Sequence, residues 1–413
     1  MECTTYSVEG LILKFPPILG EEWKAMRTIV TPIFTSGRLK TMVPIINNIC
    51  GDLKTYASKL VSESKNVDTK ELFSHAAFET IMSTGFGVDV NAWNDKENKF
   101  KKAAWTYMGY AGNTTKLMIK FLVAFFVPGL PEKIGMRVFD GEAEDFLVNV
   151  MRQTIQQRKS GAVAKRNDLV DLFIKAMDNA EAASDDKSNS TAAILAKMTE
   201  EQKETAIISQ ALIMFLAGFD TTSTALGLTF HHLAKNQDCQ AKLFDEISAA
   251  IEDNDGHEEL NYDQIQKLDY TKAVLHESMR IYNFVGALER ECTKDYPVPE
   301  LNFTIPKGMI VQVANFQYDD QFFANAKTFN PENFSEESKQ NRSPYAYGTF
   351  GHGPRNCVGM RFALLQMKMI LVHMVKNFKI LECEKTPKEL DPDPMHISQI
   401  PKGGLWVNLE PRD

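Results

Sequence analysis

The sequence has little cysteine, and its cysteines form no recognisable metal or disulfide pattern. Six cysteines are scattered over 413 residues, and none forms a CxxC pair or a Cys/His cluster with zinc-ligand spacing. This distribution predicts a reducing compartment and no disulfide framework. The six are Cys3, Cys50, Cys239, Cys292, Cys357 and Cys383.

Long apolar runs, a secretion signal and an excess of positive charge are also missing. No stretch of about 18 apolar residues is present, so we expect no helix that spans a bilayer. The first ten residues, MECTTYSVEG, have neither a basic region nor an apolar core and are not expected to form a signal peptide. The formal net charge of −8 argues against nucleic acid as a partner. The sequence shows no internal repeat.

The composition is that of an ordinary globular protein. Hydrophobic residues make up 44% of the chain and charged residues 24%. A chain of 413 residues is long enough for two ordinary domains or one large one. Composition therefore leaves the function open, and local segments must decide it.

One cysteine stands out by its surroundings. The segment FGHGPRNCVG, from Phe350 to Gly359, places Cys357 directly before the apolar helical pattern MRFALLQMKMILVHMV. Glycines and a proline let the backbone turn tightly there. A helix N-terminus and the nearby Arg355 both favour the thiolate, the form that binds metal. A lone cysteine is more often a small buried hydrophobic residue, so the interpretation rests on the whole segment.

A long helix carries the second unusual segment. Thr199 and Gln202 predict a capping box at the start of a mostly apolar helix that runs to about Lys235. In its middle, the segment AGFDTT at 217–222 introduces a glycine, which costs about 1 kcal/mol in a helix. The same segment places polar groups in a buried stretch, where they are costly unless paired. Such departures indicate a site. The alternative is an ordinary kink with threonine hydroxyls bonded to the preceding turn.

Two further patterns are weak when taken alone. Trp23 and Arg27 lie four residues apart, so they share a helix face, as in any surface helix with a cation–aromatic contact. Glu277 and Arg280 are i,i+3 neighbours in a helix predicted from Asp269 to Tyr282. Surface pairs of that kind usually contribute only tenths of a kcal/mol.

Together, the four segments resemble the cytochrome P450 family, and most closely its animal microsomal members, the group of vertebrate family three and insect families six and nine. The resemblance implies a mainly α fold with small β-sheets (α+β). It implies a single haem domain over 1–413, with a flexible loop at 181–198. The chain is expected to be truncated at its N-terminus, without the family's anchor, first helices and most of the first β-sheet.

The resemblance also implies roles for individual residues. Cys357 would be the axial ligand of the iron of haem b, with dioxygen as co-substrate. Thr221 and Asp220 would deliver protons, and Glu277 and Arg280 would form a buried structural ion pair. Four of the implied haem-binding residues would reach the propionates: Trp23, Arg27, Arg290 and Arg355. The others are Phe350, Gly351, Gly359, Ala217 and Gly218, the last of which would leave room for dioxygen.

One departure from the family pattern concerns the segment FNPENF, from Phe329 to Phe334. The family usually has an arginine where this chain has Asn333, and that arginine joins the Glu–Arg pair. Asparagine can donate and accept hydrogen bonds but carries no charge. We therefore expect an incomplete triad around Glu277.

The region 116–131 is expected to meet the membrane surface and to line the substrate entrance. The alternative is a buried end of a core helix. The flanking lysines Lys116, Lys120 and Lys133 suit lipid headgroups, and the candidate entrance residues are Phe121, Phe125 and Phe126. By resemblance, the protein would lie at the cytoplasmic face of the endoplasmic reticulum membrane.

The resemblance implies a haem-thiolate monooxygenase of the unspecific type, which oxidises apolar small molecules such as xenobiotics, steroids or lipids. Electrons would come from NADPH through a flavoprotein reductase, with cytochrome b5 as a further donor. The residues expected to dock the reductase are Lys24, Arg361, Lys368 and Lys376. Two other hypotheses stay open: a haem-thiolate isomerase or dehydratase that needs no reductase, and a non-catalytic or non-folding haem-binding fragment.

Overall fold

The architecture was analysed in a computed structural model of the chain. It describes residues 3–4, 20–64, 66–95, 97–110, 114–127, 130–163, 166, 168–182, 198–283, 288–313, 317–393 and 400–412. Helices predominate at 62%, so the predicted mainly α fold with small sheets is confirmed. The single haem domain over 1–413 stays a prediction.

The first eight described helices precede the long apolar helix predicted above. They are α1 (Gly20–Val30), α2 (Ser36–Glu63), α3 (Thr69–Ile81), α4 (Lys99–Tyr107), α5 (Thr114–Phe126), α6 (Leu130–Lys133), α7 (Gly141–Lys159) and α8 (Leu169–Ala182). Side-chain caps mark several starts; the Asp68 carboxylate, for example, accepts a hydrogen bond from the Lys70 backbone N–H at the start of α3. Of the predicted loop at 181–198, residues 181 and 182 belong to α8, and 183–197 lie outside the described residues.

The remaining described helices are α9 (Glu200–Lys235), α10 (Gln237–Glu252), α11 (Tyr262–Gln266), α12 (Asp269–Ile281), α13 (Glu336–Gln340) and α14 (Met360–Asn377). The start predicted for α9 is confirmed, because Thr199 and Gln202 form both hydrogen bonds of the capping box. The 36 residues of α9 extend over roughly 54 Å at 1.5 Å per residue.

The described strands form three small antiparallel sheets. They are β1 (Cys3–Thr4), β2 (Asn66–Asp68), β3 (Leu288–Cys292), β4 (Tyr296–Val298), β5 (Phe303–Ile305), β6 (Ile310–Val313), β7 (Phe378–Leu381) and β8 (Trp406–Pro411). The sheet orders are β1-β3-β6, β2-β8-β7 and β4-β5. Residue pairs such as Val67 with Val407 join β2, which follows α2, to the last described strand, β8.

The core surrounds α9, which packs along α3. Aromatic rings fill this contact: Phe73 lies 4.6 Å from Phe230 between ring centroids, and Phe78 meets Phe215 and Phe219 edge to face. In the described residues α9 alone has the length and hydropathy of a membrane span, and 67% of its most apolar stretch is buried inside the protein. It is the central helix of the fold.

Candidate functional site

The Cys357 segment is a tight loop in front of α14. Gly351 and Gly353 have φ values of +69° and +74°, which side-chain-bearing residues rarely adopt. The Cys357 backbone N–H donates to the Phe350 carbonyl over 2.7 Å and closes the loop. Cys357 itself is exposed and lies three residues before Met360, where α14 begins.

Two arginines join this loop to α1. The Arg355 guanidinium lies 4.0 Å from the centre of the Trp23 ring. Arg27 Nη2 donates to Asn356 Oδ1 over 2.8 Å. Arg355, rather than Arg27, therefore stacks on Trp23, and within the described residues Arg27 forms no ion pair. The contacts bring together Trp23, Arg27 and Arg355, three of the four residues predicted to bind propionates.

The fourth predicted propionate ligand, Arg290, lies elsewhere in the fold. It belongs to β3, where it is half-buried and donates through Nη1 to the Glu289 carbonyl over 2.7 Å. The described contacts do not link Arg290 to the Cys357 loop or to α1, and its role stays a prediction.

The middle of α9 has an open face. Ala217 is exposed, and Ile213, Met214, Gly218 and Thr221 are half-buried, whereas most of the helix around them is buried. These five residues recur at helical spacing, and we call them the α9 stripe. Helix α14 follows the Cys357 loop and contacts α9 beside the stripe: Gln366 Nε2 donates to the Thr222 hydroxyl over 2.9 Å.

Thr221 and Gly218 make contacts that differ from their implied roles. The Thr221 hydroxyl donates to the Ala217 carbonyl, which is the back-bonding considered as the alternative for this segment. A Cβ at Gly218 would lie 2.5 Å from Ile81 Cδ1, so this glycine lets α3 approach α9. Room for dioxygen at Gly218 stays a prediction.

Asp220 is buried on the side of α9 that faces α3. Its Oδ1 accepts from Lys70 Nζ over 2.8 Å and from the Tyr110 hydroxyl. Lys70 Nζ also donates to the Ser223 hydroxyl over 2.6 Å. Burial and the negative charge of Asp220 raise the pKa of Tyr110 far above its ordinary value, so the hydroxyl keeps its proton.

Lys70 and Tyr110 are not among the residues predicted from the sequence. A buried carboxylate at position 220 indicates that a partner must exist. Lys70, however, lies 150 residues away in sequence, beside the helix cap Asp68, and resembles a solvent-exposed residue. Only the packing of α3 on α9 identifies it.

Glu277 and Arg280 form a fully buried ion pair in α12. Both nitrogen–oxygen distances are 2.7 Å, and both side chains are 0% exposed. Arg280 also donates to the carbonyls of Gln317, Ala326 and Thr328. This pair therefore holds the segment after β6 against α12.

Asn333 donates a hydrogen bond to Glu277 but brings no positive charge to it. Its Nδ2 donates to Glu277 Oε1 over 3.1 Å, and the Asn330 backbone N–H reaches the same oxygen over 2.8 Å. Arg342 supplies a cation nearby: it donates to the Asn333 carbonyl over 2.7 Å and lies over the Phe323 ring. The neutral residue at 333 thus keeps a hydrogen bond to Glu277.

Aromatic contacts continue from this network to the Cys357 loop. The Phe334 ring meets the Tyr347 ring at 4.8 Å, and Tyr347 Oη lies 2.9 Å from His276 Nδ1. His276 in turn lies 6.2 Å from the Phe350 ring. Burial lowers the pKa of His276 to about 3, so its ring is neutral.

The residues expected to dock a reductase do not all reach the surface. Lys24 and Arg361 are exposed, and Lys376 is half-buried with Nζ 5.2 Å from the Phe244 ring. Lys368 is only 2% exposed, and its Nζ donates to the Ile265 carbonyl at the end of α11 over 3.0 Å. The prediction for Lys368 was wrong because its long side chain turns inward to satisfy a helix C-terminus.

The region 116–131 presents apolar side chains to solvent. Ile119, Leu122, Phe126 and Val127 are exposed. Phe121 is buried and packs against Phe139 at 5.5 Å between ring centroids, and its entrance role stays a prediction. The Phe125 side chain lies outside the described residues.

Comparison with known proteins decides the family. The family model described as Cytochrome P450 matches residues 17–407. The chain belongs to the cytochrome P450 family. Cytochrome P450 6B7 of Helicoverpa armigera is 30% identical over 98% of this chain and 78% of its own length.

Other P450 relatives come from an insect and a mammal. Cytochrome P450 9e2 of Blattella germanica is 30% identical over 95% of this chain and 75% of its own length. Cytochrome P450 3A6 of Oryctolagus cuniculus is 32% identical over 89% of this chain and 70% of its own length. The predicted resemblance to families three, six and nine is confirmed, and membership implies a haem-thiolate monooxygenase that uses haem and dioxygen.

The P450 site residues fit a haem group. An exposed cysteine before a helix suits an iron ligand, and nearby guanidinium groups suit carboxylates. On the α9 stripe, Ala217 is exposed and carries only a methyl group, which suits contact with a haem ring. No cluster of His, Cys, Asp and Glu in the described part of the chain is suited to hold a separate metal ion.

Proposed function

We propose that this chain oxidises apolar small molecules, such as xenobiotics, steroids or lipids, as a P450 of the unspecific type. The observation that carries the proposal is the attachment of the Cys357 loop to α1 through Arg27–Asn356 and Arg355–Trp23. The Cys357 thiolate can bind the iron of haem b. The guanidinium groups of Arg27 and Arg355 can bind its two propionate carboxylates.

Bound haem would supply the oxidative chemistry with dioxygen, and the protein supplies the ligand, a water-poor pocket and protons. Cys357 would hold the iron. Thr221 would provide a hydroxyl at the α9 stripe, and Asp220 would exchange protons from the preceding position of the helix. Trp23, Arg27, Arg355 and Arg290 would hold the propionates. The other residues that would contact the haem are Phe350, Gly351, Gly359, Ala217 and Gly218.

The test is the difference spectrum of the reduced, CO-bound chain, compared with Cys357→Ala. We expect a strongly red-shifted Soret band in the wild type and its loss in the variant, because only a thiolate ligand gives that shift. The Cys383→Ala variant, which removes a half-buried cysteine outside the Cys357 loop, should keep the band. A band at the position of neutral-ligand haem, or no haem uptake, would overturn the proposal.

We further propose that electrons come from NADPH through a reductase, with cytochrome b5 as a second donor. The docking surface consists of Lys24, Arg361 and Lys376, which complement an acidic partner. Charge reversal in Lys24→Glu/Arg361→Glu should slow reduction by the reductase at low salt and have little effect at high salt. Lys307→Glu, in the turn between β5 and β6, is the matched control. Equal rates for both variants would contradict this surface.

The proposed location is the cytoplasmic face of the endoplasmic reticulum membrane. Exposed Ile119, Leu122 and Phe126 support contact of α5 with lipid, beside Lys116 and Lys120. Ile119→Asp/Phe126→Asp should reduce flotation of the chain with anionic vesicles. Leu301→Asp, which alters an exposed apolar residue outside α5, should leave flotation unchanged; equal losses for both variants would contradict the assignment.

A further inference from the structure

Lys70 is a lysine buried between α3 and α9. It is 7% exposed in α3, although lysine is rarely buried unless it is paired. Its Nζ lies 2.8 Å from Asp220 Oδ1, 2.6 Å from the Ser223 hydroxyl and 5.2 Å from the centre of the Tyr110 ring. Two residues of α9 and one aromatic residue after α4 thus converge on a single ammonium group.

Tyr110 approaches the same carboxylate from another direction. It is half-buried, and its hydroxyl donates to Asp220 Oδ1. One carboxylate oxygen therefore accepts from both an ammonium and a phenol. Since Lys70 comes from α3 and Tyr110 from the segment after α4, the Asp220 side chain is held between two elements other than its own.

The two donors act on the charge of Asp220 as well as on its orientation. A carboxyl group buried alone would favour its neutral form, whereas a cation in contact and hydrogen bonds to the carboxylate favour the ionised form. A buried charge whose partner is removed is strongly destabilising, but removing both charges is often tolerated. The charge state and orientation of Asp220 thus depend on residues outside α9.

We propose that Lys70 and Tyr110 are positioning residues for Asp220, which keep its carboxylate ionised and fixed one residue from Thr221. Lys70 provides the charge and Tyr110 the second hydrogen bond. This inference rests on the proposed function only for its catalytic consequence, since the state of Asp220 can be measured without turnover.

The direct test is infrared spectroscopy of the purified full chain near pH 7, comparing Lys70→Met with Lys70→Met/Asp220→Asn. We expect a carbonyl stretch of a protonated carboxylic acid in Lys70→Met, absent from the wild type and lost again in the double variant. Lys203→Met is the matched control, because Lys203 is another buried lysine, paired with Glu200 at the start of α9. The absence of a new band in Lys70→Met, or the same band in Lys203→Met, would overturn the proposal.

A stability cycle separates positioning from support of the fold. Each of Lys70→Met and Asp220→Asn should lower the urea midpoint, and the double variant should recover most of that loss. Product formed per dioxygen consumed should fall about ten-fold in Lys70→Met and stay low in the double variant, because positioned proton transfer contributes roughly 10²–10⁴-fold. If the double variant recovered product formation together with stability, the pair would be structural only and the proposal would be wrong.

Tyr110→Phe removes the hydroxyl that donates to Asp220 and leaves the Lys70–Asp220 ion pair in place. It tests the positioning of Asp220 even if Lys70→Met fails to fold. We expect product per dioxygen to fall several-fold and released peroxide to rise. The control is Tyr107→Phe, since the buried Tyr107 hydroxyl has no hydrogen-bond partner among the described residues. Equal behaviour of the two phenylalanine variants would overturn the role of Tyr110. A wild-type chain without the red-shifted Soret band would instead refute the proposed function, while the infrared result would still stand.

Discussion

Among the described residues, the fully buried charges of Glu277 and Arg280 are held from several directions at once. Glu277 accepts hydrogen bonds from Arg280, Asn330 and Asn333, and Arg280 also donates to three backbone carbonyls. Each bond offsets part of the cost of removing these charges from water. Residues that donate to such a pair therefore affect stability even when they are neutral.

Asn333→Ala tests this effect at a single neutral donor. The substitution removes the hydrogen bond to Glu277 Oε1, and we expect a loss of about 1–3 kcal/mol in the free energy of unfolding. Glu277→Ala should cost more, about 3–5 kcal/mol, because it leaves Arg280 as a buried unpaired charge. Urea unfolding followed by circular dichroism measures both. Asn341→Ala, at an exposed position, is the control, and an equal loss there would contradict the assignment.

Lys368 gives a prediction with a defined pH window. Burial and the nearby Lys272 lower the pKa of Lys368 from 10.5 to about 8. Between these pH values the unfolded chain binds more protons at this residue, so its contribution to stability rises with pH. The wild type should gain up to about 3 kcal/mol over this window relative to Lys368→Met. Urea unfolding at several pH values measures the difference, and the exposed Lys379→Met variant should behave like the wild type.

At the scale of elements, the site depends on how closely α3 and α9 approach. Two glycines of α9 face neighbouring side chains: a Cβ at Gly218 would meet Ile81, and one at Gly227 would meet Leu405 and Thr69. The close approach brings Lys70 to Asp220 and aligns the phenylalanine rings between the helices. Glycine in α9 thus serves helix packing, whatever else it allows.

A double-mutant cycle between Gly218 and Ile81 tests this packing. Alanine should gain about 1 kcal/mol in helix propensity at position 218 but lose about 1–3 kcal/mol by overpacking against Ile81 Cδ1. Ile81→Val removes that methyl group, so the double variant should be more stable than the sum of the single changes by about 1 kcal/mol or more. Gly51→Ala is the control, because a Cβ there meets nothing within 4 Å. Strict additivity for Gly218 would contradict the contact.

Elements with strong local signals could be predicted from the sequence. The start of α9 follows from the Thr199 capping box, and the helix predicted from Asp269 to Tyr282 is α12, which ends one residue earlier. Contacts between distant segments could not be predicted. The Lys70–Asp220 pair and the inward turn of Lys368 both depend on the packing of helices, which no local pattern encodes.

At the scale of the whole molecule, buried neutral histidines are spread over several helices. Burial lowers the pKa of His75 and His276 to about 3 and that of His231 to about 4, and it lowers the pKa of His232 well below 6.5. They lie in α9 and in α3 and α12, two helices that pack against it. Each resists protonation in the folded protein and accepts a proton readily once the chain unfolds.

This difference predicts that stability falls as pH decreases from about 6.5 to 5. In that range the unfolded chain binds protons at histidines near their ordinary pKa of 6.5, whereas the folded protein does not, so the free energy of unfolding decreases. Each histidine contributes up to about 1.4 kcal/mol per pH unit. Carboxyl groups whose pKa is raised by burial, such as those of Asp68 and Glu79, oppose this trend at lower pH, which sets the lower limit of the window.

The double variant His231→Gln/His276→Gln tests this pH dependence. Its urea midpoint should change less between pH 6.5 and 5 than that of the wild type, whereas His257→Gln, at an exposed position, should behave like the wild type. A wild-type midpoint that is constant between pH 6.5 and 5 would show that these histidines bind protons equally in both states.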